Sequence, residues 1–280
     1  MTIHEIIQML IDAGIEPNEA NIEVKMLLEH FANYGAKDII IGKKLTSDML
    51  DIVAEKAELR AKTRQPIQHI IGFANFMGEN FIVNPDVLIP RDETEILVRK
   101  AIEIINENNL KDALDVGTGS GCIACMIAKL TKCQVIGVDI SSDALRTALD
   151  NASRLNLFNK AIFRKSDIFS NVRYGETFDI IISNPPYIPP TQKETIQKEV
   201  TFDPELALFT KDEKGLEFYE KITKSAPRVL EKGGYLLFEL GLGQGEDVKN
   251  IMEKNGFSEI EIIKDLAGID RVICAKNRRD

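Results

Sequence analysis

Hydrophobic positions change their period twice along this chain of 280 residues. Over residues 1 to about 65 they recur at helical spacing. Ile3, Ile6, Ile7 and Leu10 make one stripe, preceded by Thr2 and Glu5 at capping-box spacing. Gly14 closes that helix. Pro17 and Asn18 open a second, with Ile22, Met26, Leu27 and Phe31 on its apolar face. Ser47 is expected to cap a third, ending in the basic stretch from Arg60 to Arg64. Between Gln65 and Pro90 the period changes: β-formers flank Gly78 in HIIGFANFMGENFIVN, which predicts a hairpin. Pro90 and Asp92 then introduce a helix running to about Asn108, with Asp92 as its cap.

Beyond Asn108 strands and helices alternate. The strands are expected at Ala113–Val116, Gln134–Ile140, Ala161–Ser166, Phe178–Ile182, Tyr235–Leu240, Glu259–Ile263 and Arg271–Ala275. Helical patterns fall at about 121–130, 142–156, 215–230 and 244–255. This alternation predicts an α/β fold with a mostly parallel, doubly wound sheet of seven strands. The last two strands have no room for a helix between them and should form an antiparallel hairpin at the end of the sheet. The expected organisation is a helical domain over 1–65, a β-hairpin linker over 66–90 and an α/β domain over 91–280.

Composition narrows the partners. A hydrophobic share of 44% and a charged share of 28% suit a soluble protein with a full core. The net charge is −9, of which residues 1–70 carry −3, so neither part is basic and direct nucleic-acid binding is not expected. No apolar run is long enough to span a membrane, and the acidic, amphipathic start is unlike a signal or transit peptide; a cytoplasmic location is expected. Cys122, Cys125, Cys133 and Cys274 make no disulfide framework. Cys122 and Cys125 form a C-x-x-C, but with no second pair and no nearby His they read as buried helix residues, and no metal is expected. The three histidines, His4, His30 and His69, all precede the α/β domain, which argues against a Ser-His hydrolase or a His-ligated haem there.

Two stretches carry chemistry. In ALDVGTGSGC, Gly117, Gly119 and Gly121 follow a strand and open a helix, so bare backbone can approach a ligand closely. The sixth position of a dinucleotide fingerprint is Cys122 rather than Gly, and no P-loop Lys-Ser/Thr pair follows. Asp115 adds negative charge, which disfavours a pyrophosphate and suits a cation. S-adenosylmethionine has a sulfonium, an ammonium and no phosphate. Gly117, Thr118, Gly119, Ser120 and Gly121 are therefore the expected donor loop, with Asp139 accepting from the ribose hydroxyls, Asp167 meeting the adenine amino group and Ile168 covering the ring. The second stretch, FDIIISNPPYIPP, is an apolar strand halted by Asn184, Pro185, Pro186 and Tyr187. Its prolines lack N–H donors and stiffen the chain just past the strand's C-terminal end.

Together, D-x-G-T-G-S-G at 115–121, VD at 138–139 and NPPY at 184–187 resemble a class I (Rossmann-like) methyltransferase that modifies a planar nitrogen. PIQHIIG at 66–72, NPDVLIPRDETE at 84–95 and DLAGIDRV at 265–272 further resemble the HemK/PrmC family, protein-(glutamine-N5) methyltransferases acting on peptide chain release factors. The resemblance spans about residues 66 to 276. It implies S-adenosylmethionine as donor, S-adenosylhomocysteine as product, and the glutamine of the release factor's Gly-Gly-Gln loop as target, with residues 1–65 docking the large partner; a monomer is expected.

In that setting the Asn184 side-chain oxygen and the Pro185 carbonyl would each accept one N–H of the target amide, with Asn184 also beside the donor. Pro186 would stiffen the turn and Tyr187 pack against the flat amide. Asn184, Pro185 and Tyr187 are thus the catalytic candidates. The family typically has Pro where Asp92 stands and Glu-Pro where Asp203-Pro204 stands; Asp203 keeps the charge. Arg91, Thr94 and Glu239 line the cleft by the same resemblance, without an assigned role. Adenine-N6 DNA and guanine-N2 RNA methyltransferases share NPPY, and a glutamine methyltransferase of a large-subunit ribosomal protein is a nearer alternative; a non-catalytic donor-binding protein is a third class. The IPRDETE stretch resembles the release-factor branch better.

Overall fold

The computed structural model describes residues 1–278, which divide into two compact units. The first comprises residues 1–73 together with 197–202. Its helices are α1 (Ile3–Asp12), α2 (Pro17–Phe31), α3 (Ala36–Ile40), α4 (Ser47–Thr63) and α5 (Ile67–Ile71). The capping box opens α1: the Glu5 N–H donates to Thr2 Oγ1, and the Thr2 N–H to the Glu5 carboxylate at 2.7 Å. The cap of α4 is Thr46, one residue before Ser47.

The face that α2 buries differs from the stripe expected. Ala20, Val24, Leu27 and Leu28 point inward, and Ile22 is 57% exposed. Glu23 falls on the buried face, where Arg60 of α4, itself 1% exposed, meets it. Arg60 Nε and Nη2 donate to the Glu23 carboxylate at 2.9–3.1 Å, and Nη1 donates to Glu199 at 2.9 Å. The stretch 197–202 is thereby held to the helices by a charge-assisted fork. Residues 67–71, expected within a hairpin, instead form a helical turn between Pro66 and Gly72 (φ +78°), because Ile67 packs into the helical core.

The second unit comprises residues 74–196 and 203–278. The hairpin is confined to β1 (Phe73–Phe76) and β2 (Glu79–Ile82), joined by Met77 and Gly78, both at positive φ as a two-residue hairpin turn requires. In α6 (Asp92–Asn108) the cap position is Arg91, whose side chain makes no capping bond. Asp92 is the first helical residue, so it acts with Glu93 and Glu95 on the helix dipole rather than as a cap.

The elements that follow are β3 (Asp112–Val116), α7 (Cys122–Leu130), β4 (Gln134–Asp139), α8 (Ser142–Arg154), β5 (Ala161–Lys165), β6 (Phe178–Ser183), α9 (Glu205–Leu208), α10 (Glu217–Ser225), β7 (Leu230–Glu239), α11 (Gly245–Lys254), β8 (Phe257–Lys264) and β9 (Asp270–Asn277). The seven-stranded sheet runs β5-β4-β3-β6-β7-β9-β8, parallel except for β9. The short β8–β9 connection forces an antiparallel return, and β9 inserts between β7 and β8.

Strands buried on both faces explain the unbroken apolar run FDIII: Ile180 and Ile182 face one core cluster with α6 and α7, Ile181 the other with α10 and α11. Cys122 and Cys125 lie in the first cluster, and burial pushes the Cys122 thiol up to about 12. Among the described residues no helix is long and apolar enough to cross a membrane. The chain steps outward from β3 to β4 and β5, then returns to β6 on the other side of β3. That reversal is a topological switch point, where the loops diverge and leave a crevice beyond the strand ends.

Candidate active site

The β3–β6 pair sets the site. Val116 is in register with Ser183, and Ser183 Oγ donates to the Val116 carbonyl at 2.7 Å. The next residues of the two strands are therefore neighbours: Gly117 on one side, Asn184 on the other.

The glycine loop is pinned from below. The N–H groups of Gly117 and Thr118 both donate to the Val138 carbonyl, and the Gly121 N–H to Thr118 O. Gly121, at φ +78°, abuts α8 so closely that a Cβ would stand 2.9 Å from that of Ala148. Gly117, at φ +74°, has no atom of the described residues within 4 Å of where a Cβ would be, which leaves open space for a ligand. Asp139 closes the loop, one oxygen accepting from the Gly119 N–H and the other from the Ser141 N–H, each at 2.9 Å. Each oxygen keeps acceptor capacity for a hydroxyl. Its carboxyl is raised above the usual range by burial.

Asp167 and Ile168 follow directly, since the Ser166 N–H donates to the Asp139 carbonyl. Asp167 is exposed and Ile168 half-buried. Ile168 sits at φ +51°, a left-handed conformation costly for a β-branched residue, held by Ser166 Oγ donating to its carbonyl. Open backbone at Gly117, acceptor oxygens at Asp139 and an apolar side chain at Ile168 suit the cationic donor, its ribose and its ring in turn. Asp115 departs from the expectation. It is fully buried, its Oδ2 accepting from Thr118 Oγ1 at 2.6 Å and from the Ala124 N–H, and burial raises its carboxyl to about 7. It holds the loop's shape from within the sheet rather than lending surface charge to the crevice.

On the other side, Pro185 is buried and Asn184, Pro186 and Tyr187 are half-buried. Burial raises the Tyr187 hydroxyl, and the nearby Glu239 raises it further, so it stays neutral. Gln244 anchors this turn: its Nε2 donates to the Tyr187 carbonyl at 3.1 Å and to Lys214 O at 3.0 Å, while its Oε1 accepts from the Gly241 N–H. Nothing in the sequence reading singled out Gln244, although a Gln among closely spaced glycines just after a strand was a visible signal.

Arg91 is committed to Asp203: its Nη2 donates to the buried carboxylate at 2.6 Å, and Asp203 also accepts from the Ile89 N–H. Thr94 Oγ1 donates to Glu239 Oε2 at 2.6 Å and accepts from Asn184 Nδ2 at 3.3 Å. Burial pushes the Glu239 carboxyl up to about 7. Among the described residues no group of three or more His, Cys, Asp or Glu could hold a metal ion.

Comparison with known proteins identifies the family. A family profile described as a methyltransferase domain matches residues 107–266. The chain is 40% identical over 246 residues to a release factor glutamine methyltransferase of Bacteroides thetaiotaomicron, covering 86% of this chain and 85% of that protein. It is 41% identical over 226 residues to the enzyme so named in Fusobacterium nucleatum, covering 80% of this chain and 63% of that longer protein. A crystal structure of a methyltransferase from Pyrococcus furiosus shares the fold, with a TM-score of 0.53 at 20% identity over 84% of this chain and all of that one. The chain belongs to the release factor glutamine methyltransferase family, whose members use S-adenosylmethionine as methyl donor.

Proposed function

We propose that this enzyme methylates the side-chain amide nitrogen of the glutamine in the Gly-Gly-Gln motif of peptide chain release factors. The observation that carries the reading is the register of Val116 with Ser183, which brings Asn184-Pro185-Pro186-Tyr187 alongside the glycine loop. When bound, S-adenosylmethionine supplies an electrophilic methyl group on a sulfonium.

The residues of the turn then address the weakness of the nucleophile. A carboxamide nitrogen is poor because its lone pair is delocalised into the carbonyl. Asn184 Oδ1 and the Pro185 carbonyl accept its two N–H groups and hold the nitrogen where its lone pair can turn toward the methyl. The same acceptors stabilise positive charge as it develops on nitrogen. Tyr187, neutral and half-buried, packs against the flat amide. No strong base is required, because the methylated nitrogen is acidic enough to lose its proton afterwards.

In this reading the enzyme is a cytoplasmic monomer, and its net charge of −9 disfavours a nucleic-acid target. Residues 1–65 dock the release factor. Ile39, Ile40 and Ile41, which are 60%, 83% and 76% exposed, supply the apolar contact.

The test is mass spectrometry of a purified release factor after incubation with S-adenosylmethionine and the enzyme. One added methyl on the Gly-Gly-Gln glutamine, absent with Asn184→Ala, is the expected result; an unmodified factor would move the target to a ribosomal protein or nucleic acid. In the same assay, serines at Ile39, Ile40 and Ile41 should raise KM for the whole factor and leave a short Gly-Gly-Gln peptide unaffected. Equal effects on both would end the docking idea.

A further inference from the structure

Asn184 can serve as an acceptor only if its amide is turned the right way round. The oxygen and nitrogen of an Asn side chain are almost the same size, so packing alone does not choose between them. Hydrogen bonding does. Thr94 Oγ1 carries a single proton, and it donates that proton to Glu239 Oε2 at 2.6 Å. With its proton committed, the hydroxyl oxygen can only accept, so the Asn184 atom facing it is Nδ2, at 3.3 Å. Oδ1 is then turned away from Thr94.

We propose that Thr94 and Glu239 are positioning residues for methyl transfer: a polar relay that orients the Asn184 amide so that its oxygen is the atom offered to the target. The inference rests on the methyl-transfer reading and assigns a role to two residues that touch neither donor nor target in it. Reversed, Asn184 would present an NH2 to an amide nitrogen that has only N–H groups to give.

Placement supports the relay. Thr94 and Glu239 are each 3% exposed, on α6 and β7, separated by 145 residues in the chain. A hydroxyl and a carboxyl in such surroundings are costly unless they serve each other, and an apolar pair would pack there at less expense. Tyr219 of α10 steadies the end of β7 by donating its hydroxyl to the Glu239 carbonyl at 2.9 Å.

The relay also has a condition. While Glu239 is ionised it can only accept, so the direction of the Thr94 bond is fixed. Protonation gives Glu239 an O–H that can donate toward Thr94 Oγ1 and free the threonine proton to turn toward Asn184, so the polarity of the chain is no longer fixed. Glu239 faces Glu93 of α6, Arg271 of β9, Cys122 of α7, Tyr219 and Tyr187. Burial lifts its carboxyl to about 7 and Glu93 adds to this, while Thr94, Arg271 and the Asn184 side chain, which also donates toward Glu239, oppose it.

The experiment measures kcat and KM for the release factor with wild type, Thr94→Val, Thr94→Ser and Glu239→Gln across pH. Thr94→Val should lower kcat about 100-fold, the scale of a mispositioned catalytic group, with KM for S-adenosylmethionine unchanged, and Thr94→Ser should recover most of the loss. Wild-type kcat should fall as pH drops through about 7, and Glu239→Gln should remove that dependence. Unaltered kcat in Thr94→Val, or a Glu239→Gln profile superimposable on wild type, overturns the relay. Should Thr94→Val fail to fold, the Glu239→Gln profile decides alone.

Wild type that adds no methyl to the factor overturns the substrate reading only. The relay is then judged by NMR of the Asn184 side-chain amide, identified by its loss in Asn184→Asp. Slowed exchange with solvent that becomes fast in Thr94→Val supports the relay, and equal exchange refutes it.

Discussion

Asp115 offers the sharpest test of the energetics, because the sheet encloses it completely and leaves its Oδ1 with no hydrogen-bond partner among the described residues. Its carboxyl stands near 7 in the folded chain, raised first by burial and further by the charge of Asp139, against an ordinary unfolded value of about 3.9. Folding therefore takes up a proton between those two values. The stability this group contributes is fully present below the unfolded pKa and is lost as pH rises toward about 7. At about 1.4 kcal/mol per pH unit, the two units between pH 5 and 7 amount to about 3 kcal/mol.

Asp115→Asn cannot ionise and keeps one acceptor for Thr118 and Ala124. Its NH2 replaces the unpartnered oxygen at a cost of about 1–3 kcal/mol that does not vary with pH. Urea unfolding of the full chain, wild type against Asp115→Asn at a series of pH values, isolates the titrating part. The difference in unfolding free energy should move in favour of Asn by about 3 kcal/mol between pH 5 and pH 8. A difference that stays flat across that range would refute the reasoning, since it would mean that the buried carboxyl holds the same charge folded and unfolded.

Two further outcomes follow from the packing. Arg60→Leu leaves Glu23 buried without its partner and should cost about 3–5 kcal/mol, whereas Glu23→Leu combined with Arg60→Leu should recover most of it; a single variant as stable as wild type in urea would show that the pair adds nothing. Gly215→Ala drives a Cβ into the Tyr187 carbonyl oxygen at a φ of +73°, so kcat should fall about 100-fold with calorimetric S-adenosylmethionine binding intact, and full activity would mean that the position of this turn is not critical.

Much of the architecture was legible in one dimension because the physics concerned acts over a few residues. Alternation of apolar runs with helical stripes announced the parallel sheet and its antiparallel end. Glycines able to take positive φ marked the loop after β3, and two prolines without N–H donors marked the end of β6. The same locality explains the agreement at the Thr2–Glu5 capping box, whose partners are three residues apart.

What required the tertiary structure involves partners far apart in the chain. Glu23 reads as a solvated residue until Arg60 covers it, and Ile22 loses its place on the buried face as a result. PIQHII looks β-prone until Ile67 finds the helical core. The motif suggested a surface charge at Asp115; only closure of the sheet on both sides shows the carboxyl to be enclosed. Thr94, Asn184 and Glu239 are 90 and 145 residues apart along the pairs that join them, and each is an ordinary polar residue in its own segment. Their meaning arises where α6 and two strand ends converge, because burial removes water as an alternative partner and leaves each polar atom to be satisfied by the others.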